Sequence, residues 1–249
     1  MPRGCSLVMR PVVPNSTAHF SPIRHWSEIE PRAVQNSLRE AFAVWGLPAS
    51  IRVDNGLPWT TTSAVPSALE LWLRGLEVEL KRIRPAQSQE NGVVERGHGV
   101  AATWTEWETA AHLAELDQRL QDAIWRQREG YPNPAGLTRL QAYPKLKTQR
   151  RAYRSEQEAA QWSLQRVDEW LSQQVYERRV EVNGRITLFS STYSVGRPYA
   201  RQTVFVQFDS QTREWCIHHE KGGILTRHPT KEINPEMICN STLAKRRRG

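Results

Sequence analysis

The sequence has few cysteines and no long apolar run. Its three cysteines, Cys5, Cys216 and Cys239, are scattered along 249 residues and form no Cys-x-x-Cys pair. A disulfide framework or a zinc knuckle needs closely spaced cysteines, so we expect neither, and we expect a reducing compartment. No stretch approaches the roughly 20 apolar residues of a membrane helix, and the first apolar run is too short for a signal peptide. The sequence therefore predicts a soluble, cytoplasmic protein with no membrane partner.

Aspartate is also absent from the first 53 residues, and Asp54 is the first in the chain. Asp54 follows residues 51–53, whose alternation predicts the end of a strand, and Asn55-Gly56 then predicts a turn. A second carboxylate, Glu95, falls in a run that favours a helix. A carboxylate at a strand end and another on a helix can hold divalent metal ions over a phosphodiester.

Charge indicates the kind of partner. The formal net charge is +8 and the sequence pI is about 9.7. Most of the positive excess falls in residues 101–249. A strongly basic chain favours a polyanionic partner, so we expect nucleic-acid binding, with the downstream part contributing most of it.

The order of predicted elements before residue 104 is helix, strand, helix, strand, helix, which is an α/β pattern with a parallel strand pair inside it. Pro31 suits a first helical turn and Gly46 a helix end. Residues 50–53 and 76–83 alternate as strands, and residues 67–74 predict a short helix between them.

Residues 105–174 predict a helical connector. One helix is expected over residues 105–130, where Trp125 is expected in the core, and Tyr131-Pro-Asn-Pro ends it. Another helix is expected over residues 155–171. Between them lies a basic segment that has no acidic residue.

After Gln174 the sequence predicts about five short strands separated by turn signals. Their short, regular spacing suggests a small barrel. The expected strands are residues 176–182, 185–188, 192–195, 203–208 and 214–218.

Two motifs, Gly46-Leu-Pro-Ala-Ser-Ile-Arg-Val-Asp54-Asn-Gly56 and Gln89-Glu-Asn-Gly-Val-Val-Glu95-Arg96, together resemble the integrase-core (DDE) transposases of bacterial insertion sequences. In that family the catalytic domain is ribonuclease-H-like, and three acidic residues (Asp, Asp, Glu) hold two divalent metals. By resemblance, Asp54 matches the second Asp and Glu95 the Glu. Both are thus the expected catalytic residues and the expected ligands of Mg²⁺ or Mn²⁺. The β-rich region resembles the SH3-like DNA-binding domain behind many such cores.

The family's first Asp has no counterpart here, because its strand would fall at or before Met1. We therefore expect an N-terminally truncated chain. The expected domains are a partial catalytic core over residues 1–104, the helical connector over 105–174, the small β-barrel over 175–235 and a basic tail over 236–249. Two carboxylates supply a formal charge of −2, which predicts weak, single-metal binding and little turnover by the chain alone.

The expected partner is DNA, both transposon ends and target, bound by a homo-oligomer, as the resemblance implies. Basic residues flanking the two motifs, the basic segment and the tail are the expected phosphate contacts, and Gln89 and Asn91 match positions that approach DNA in the family. The expected DNA-binding residues are Lys81, Arg82, Arg84, Gln89, Asn91, Arg96, Lys145, Lys147, Arg150, Arg151, Lys245, Arg246, Arg247 and Arg248.

Three functions remain open from the sequence. The first is a truncated transposase whose parent activity is Mg-dependent DNA strand transfer in transposition and integration. The second is a non-enzymatic DNA-binding protein that inhibits transposition, and the third is a degenerate remnant. Metal-independent, salt-sensitive DNA binding would favour the second, and aggregation of the expressed chain would favour the third.

Overall fold

The computed structural model describes residues 31–53, 55–61, 65–82, 100, 102–144 and 151–241. Its helices are α1 (Pro31–Trp45), α2 (Ala68–Gly75), α3 (Leu113–Trp125), α4 (Arg139–Ala142), α5 (Glu158–Gln161), α6 (Leu164–Ser172) and α7 (Pro235–Cys239). Its strands are β1 (Ser50–Val53), β2 (Glu79–Arg82), β3 (Val175–Arg179), β4 (Arg185–Leu188), β5 (Ser191–Ser194), β6 (Thr203–Asp209), β7 (Glu214–His219) and β8 (Ile224–Pro229). The architecture is mixed α/β, which confirms the predicted class in its coarse form.

The chain divides into two compact units. The first contains the described residues of Met1–Ala43, Pro48–Arg82 and Tyr153–Gly249, and the second those of Val44–Leu47 and Ile83–Ala152. The first unit therefore packs the α/β segment and the β-rich segment into one body, although they are distant in sequence.

Helix α1 forms where the sequence predicts it, and it buries one face. Gln35, Leu38 and Phe42 are each fully buried, at the three- and four-residue spacing that places side chains on one side of a helix. The Gln35 amide donates to the Ile238 carbonyl oxygen at 3.3 Å and accepts from the Ser241 hydroxyl at 2.8 Å. The buried amide is thus satisfied by the Ile238 carbonyl in α7 and by the Ser241 hydroxyl two residues beyond that helix.

Helix α2 is buried nearly all round, which is expected of a helix apolar on every side. The Ser67 hydroxyl accepts from the Glu70 amide at 3.2 Å and caps its first turn. Helices α6 and α7 both pack on α2. After Gly75 the chain reverses through Glu77, which has a φ of 61°, and enters β2. This turn explains why the second strand is shorter than predicted and begins at Glu79.

Strands β1 and β2 pair in parallel, as predicted, with Ser50 opposite Glu79 and Val53 opposite Arg82. Ile51, Val53 and Leu80 are buried, whereas the neighbours of Leu80 are exposed. The alternation in the sequence is therefore the true inward and outward pattern.

The predicted barrel needs a correction, because the strands after residue 174 form two separate antiparallel sheets. One has the order β3-β6-β7-β8, and the other is the β4–β5 hairpin. Within the described residues, a side-chain contact links β8 to β5: the His228 Nε2 atom lies 2.6 Å from the Ser194 carbonyl oxygen. Backbone pairing between these strands, which would help to close a barrel, is not among the ladders found there.

One further difference has a tertiary cause. The helix predicted over residues 155–171 is broken at Trp162 and Ser163, because the Ser163 amide donates to the Gly75 carbonyl at 3.0 Å and Trp162 Nε1 donates to the Trp72 carbonyl at 3.1 Å. Hydrogen bonds to α2 thus replace continued helix. Strand β8 and helix α7 were not predicted.

The second unit contains α3, the π-helical turn Arg126–Gly130 and α4. Helix α3 ends before Tyr131, as the Pro-rich sequence predicts. Trp125, expected in the core, is 59% exposed, so that prediction is wrong. Its ring edge instead lies close to Gly130 at the surface of the turn.

Candidate functional site

The sequence motif that carries the resemblance adjoins the parallel strand pair. Strand β1 ends at Val53, which lies opposite Arg82, the last residue of β2. The carboxyl ends of both strands therefore meet at one edge of the sheet, which is where ligands bind in open α/β sheets. Asp54 follows Val53 directly in the sequence but lies outside the described residues, as does Glu95.

Arg82 at this edge is committed to an internal carboxylate. Its guanidinium lies 2.5 Å from the Glu70 carboxylate, which is almost fully buried on α2, and it also donates to the Trp59 carbonyl at 3.0 Å. Lys81, the other predicted DNA contact on β2, lies 3.1 Å from Glu79. Each cation thus faces an acid, and the charge that the pair offers to a polyanion is reduced.

Most of the other predicted site residues lie outside the described residues, and Arg151 is the exception. Arg151 is half-buried, and its carbonyl oxygen accepts a hydrogen bond of 2.8 Å from the Leu47 amide. The remaining predicted DNA contacts, which lie outside the described residues, are Arg84, Gln89, Asn91, Arg96, Lys145, Lys147, Arg150, Lys245, Arg246, Arg247 and Arg248. Their roles stay predictions.

A buried ionic cluster in the first unit is centred on Glu158. Arg39 donates two hydrogen bonds to its carboxylate, at 2.8 and 2.7 Å, Trp72 Nε1 donates one at 3.2 Å, and the Tyr153 hydroxyl donates another. Burial raises the pKa of Glu158, but the bonds from Arg39, Tyr153 and Trp72 outweigh it and hold that pKa below its usual value. Burial, helped by the bond to Glu158, raises the pKa of Tyr153 well above its usual value.

This cluster is a structural device. The donors around Glu158 already point at it, so its carboxylate is an occupied acceptor and not a free base. Arg39 also donates to the Cys239 carbonyl at 2.8 Å, so the same guanidinium ties α1 to both α5 and α7.

A second surface, whose residues the sequence predictions did not include, carries arginines that form no ion pair within the described part of the chain. We call it the arginine groove: two adjoining open depressions of about 690 and 380 Å³ that share Glu181 and Val182. Three exposed arginines border it, namely Arg179, Arg197 and Arg201. The sequence signal was weak, because these residues are separated along the chain. The pairing of β3 with β6 brings Arg179 close to Arg201, and hydrogen bonds from Val195 and Gly196 to the Gly184 carbonyl hold the segment that carries Arg197.

The described ranges contain neither a metal-ion cluster nor a membrane-spanning helix. Within them, no group of three His, Cys, Asp or Glu side chains is arranged to hold a metal ion. None of the helices in those ranges combines the length and apolarity required to cross a membrane.

Comparisons with known proteins give little. No protein-family model matches the chain. Among solved structures, it is similar to a chain of the cryo-electron microscopy structure of the simian T-cell lymphotropic virus intasome in complex with PP2A regulatory subunit B56 gamma, with a TM-score of 0.37 and 16% sequence identity. The match covers 80% of this chain and 61% of that one, and at this TM-score it supports no conclusion about function.

Proposed function

We propose that this chain is a duplex-DNA-binding protein built on an integrase-like core, whose parent reaction is DNA strand transfer. The observation that carries the proposal is the parallel pairing of β1 with β2, because it matches the order expected from the two motifs. Asp54 follows the carboxyl end of β1, the position at which such folds place functional side chains. The ribonuclease-H-like and SH3-like identities of the two parts belong to this proposal.

Asp54 and Glu95 are the residues that would hold a divalent metal. Such ions activate an attacking water or 3′-hydroxyl and stabilise the leaving oxygen. Two closely spaced divalent cations repel each other strongly, and two carboxylates offset only half of their formal charge. We therefore propose DNA binding without efficient strand transfer by the chain alone, with a homo-oligomer on DNA as the working form.

The excess of basic residues supports DNA as the partner. With a net charge of +8, the chain is attracted to the phosphate backbone of any sequence, and that attraction falls as salt rises. Single basic residues on a surface are usually only solvated, so the proposal depends on the whole charge and not on one residue.

Strand cleavage and joining on a supercoiled plasmid test the catalytic half of the proposal. The full chain, Asp54→Asn and the control Asp117→Asn are each incubated with the plasmid in Mg²⁺ or Mn²⁺. Asp117 is an exposed acid on α3. We expect all three proteins to leave the plasmid equally intact. Nicking by the wild-type and Asp117→Asn proteins, abolished in Asp54→Asn, would show an active enzyme and contradict the proposal.

A further inference from the structure

We infer that the arginine groove is a binding site for the sugar–phosphate backbone of duplex DNA, with Arg179, Arg197 and Arg201 as its phosphate contacts. The inference rests on the proposed function, because it names where on this chain DNA is held. The resemblance already implied that the β-rich region contacts DNA, but the residues predicted as phosphate contacts lie in the basic segment, the motif flanks and the tail. The inference adds the surface and the arginines within the β-rich region.

The backbone around the groove is fixed before any ligand arrives. The Val180 amide donates to the Gln202 carbonyl at 2.9 Å, and the Arg201 amide donates back to the Val180 carbonyl at 2.8 Å. Arg201 itself adopts a φ of 66°, a conformation that L residues rarely use. A conformation held in this way by two hydrogen bonds positions the arginine at a defined place on the rim.

Gly184 sets the opposite wall. It has a φ of 78°, and its amide and carbonyl connect Glu181 with Val195 and Gly196 at 2.8 to 2.9 Å. A Cβ atom at this position would lie 2.6 Å from the backbone nitrogen of Arg197. Only glycine allows the two chain segments to approach this closely, so Gly184 is a positioning residue for Arg197.

The arginines have positive charge to offer. Within the described residues, neither Arg197 nor Arg201 forms an ion pair, and Arg179 uses only its Nε atom, which donates to the Arg201 carbonyl at 3.3 Å. The acid in the lining, Glu181, instead accepts from the Asn183 amide at 3.1 Å and the Thr187 hydroxyl at 3.3 Å. With three arginines against this one glutamate, the groove carries a surplus of two positive charges.

The shape favours an extended polyanion. The two depressions are open and adjoin, whereas a small ligand is usually enclosed in a deep pocket. Guanidinium groups bind phosphate oxygens through two parallel hydrogen bonds, and such backbone contacts carry no sequence information. Val182, which is 70% exposed between the arginines, offers an apolar surface suited to a deoxyribose face.

The test compares the wild-type chain with the double variant Arg179→Ala/Arg197→Ala. A matched control, Arg32→Ala/Lys221→Ala, removes the same charge from two exposed positions outside the groove and outside the predicted DNA contacts. Fluorescence anisotropy with a 30-base-pair duplex of mixed sequence measures Kd at several NaCl concentrations. Each phosphate contact contributes roughly 0.9 to the slope of log K against log salt, so we expect the slope of the groove variant to be shallower by about 1.8. We also expect roughly tenfold weaker binding for each arginine replaced, and little change in the control.

A converse variant keeps the inference testable if the double variant folds poorly. Glu181→Gln removes the acid from the lining, and we expect it to tighten DNA binding several-fold and to leave the melting temperature near that of the wild type. Equal binding by Glu181→Gln and the wild type would contradict the inference.

The outcomes separate this inference from the proposed function. If the wild-type chain binds DNA and the groove and control variants lose the same amount of affinity, the groove assignment is overturned and DNA binding by the chain stands. No wild-type binding at low salt would overturn both. If the groove variant bound duplex RNA more weakly than the wild type but bound duplex DNA equally well, the assignment would also be overturned, because the site would then recognise A-form geometry.

Discussion

Replacing Glu158 with glutamine tests the interaction that joins the α/β segment to the C-terminal segment of the first unit. Tyr153 and Trp72 donate to different oxygens of the Glu158 carboxylate, so glutamine keeps an oxygen acceptor for only one of them, and it removes the charge that faces Arg39. The Glu158 and Arg39 side chains are 11% and 22% exposed, so the arginine regains only part of its hydration when the charge of its partner is removed. Breaking a buried pair costs about 3–5 kcal/mol, and a hydrogen bond to a charged group contributes about 1.5–3 kcal/mol. We therefore expect the free energy of unfolding to fall by roughly 2–3 kcal/mol at pH 7.

The pH dependence of this destabilisation identifies its electrostatic origin. The pKa of Glu158 is lower in the folded chain than its usual value, because the hydrogen bonds from Arg39, Tyr153 and Trp72 outweigh the effect of burial. Its stabilising contribution is thus fully present above the pKa of the unfolded chain and disappears as the pH falls through the folded pKa. The difference between the wild type and Glu158→Gln should therefore be largest near neutral pH and shrink in acid.

Urea unfolding followed by tryptophan fluorescence at pH 7 and in acid provides the measurement. The matched control is Glu156→Gln, two residues away and exposed, which should change the stability by less than about 0.5 kcal/mol. A destabilisation by Glu158→Gln no larger than that of the control, or one of equal size at both pH values, would refute the electrostatic account.

Three further changes test the packing around this cluster and in the β-rich part. Gly75→Ala should lower the free energy of unfolding in urea by about 1–3 kcal/mol, because the added Cβ would lie 2.0 Å from Trp162 Nε1. An unchanged free energy of unfolding would contradict the close packing of Trp162 on Gly75. Asp168→Asn should lower the stability at pH 7 less than Glu158→Gln does. Burial outweighs the nearby Arg213 and raises the pKa of Asp168, so folding disfavours its charged form, and the stability that this group contributes is lost as the pH rises through its folded pKa. A larger loss of stability for Asp168→Asn than for Glu158→Gln would contradict this ranking. Gly184→Ala should lower the melting temperature and also weaken duplex-DNA binding, because the added Cβ displaces Arg197. Reduced stability with unchanged DNA affinity would contradict the positioning role of Gly184.

Local patterns predicted the parts of the fold that depend on near neighbours. Pro31 and Gly46 predicted the two ends of α1, and the run over residues 67–74 predicted α2. The alternation around Leu80 predicted which side of β2 is buried. In each of these cases the residues that decide the structure are adjacent in sequence or one helical turn apart.

The missed features depend on distant partners or lack a local signal. The helix break at Trp162 follows from its hydrogen bonding with the segment around Gly75, which no local pattern encodes. Strand β8 is a half-exposed edge strand without clear alternation, so the period-two signal was missing. The open sheets replaced the predicted barrel because strand spacing in sequence does not determine which strands pair.

The candidate site was predicted unevenly for the same reason. Asp54 and Glu95 came from two local motifs, and they stay predictions because both lie outside the described residues. The arginine groove was not predicted, since Arg179 and Arg201 meet only through the β3–β6 pairing. The Glu70–Arg82 pair shows the opposite case, in which a basic residue expected at DNA is held by a buried acid.

The most direct test of the central claim is the salt dependence of duplex-DNA binding by the full wild-type chain in EDTA. Anisotropy with the 30-base-pair duplex should give binding at low salt that weakens steeply toward physiological ionic strength, with a log–log slope of about −2 or steeper for two or more phosphate contacts. A flat dependence, or no binding at low salt without metal, would contradict the account.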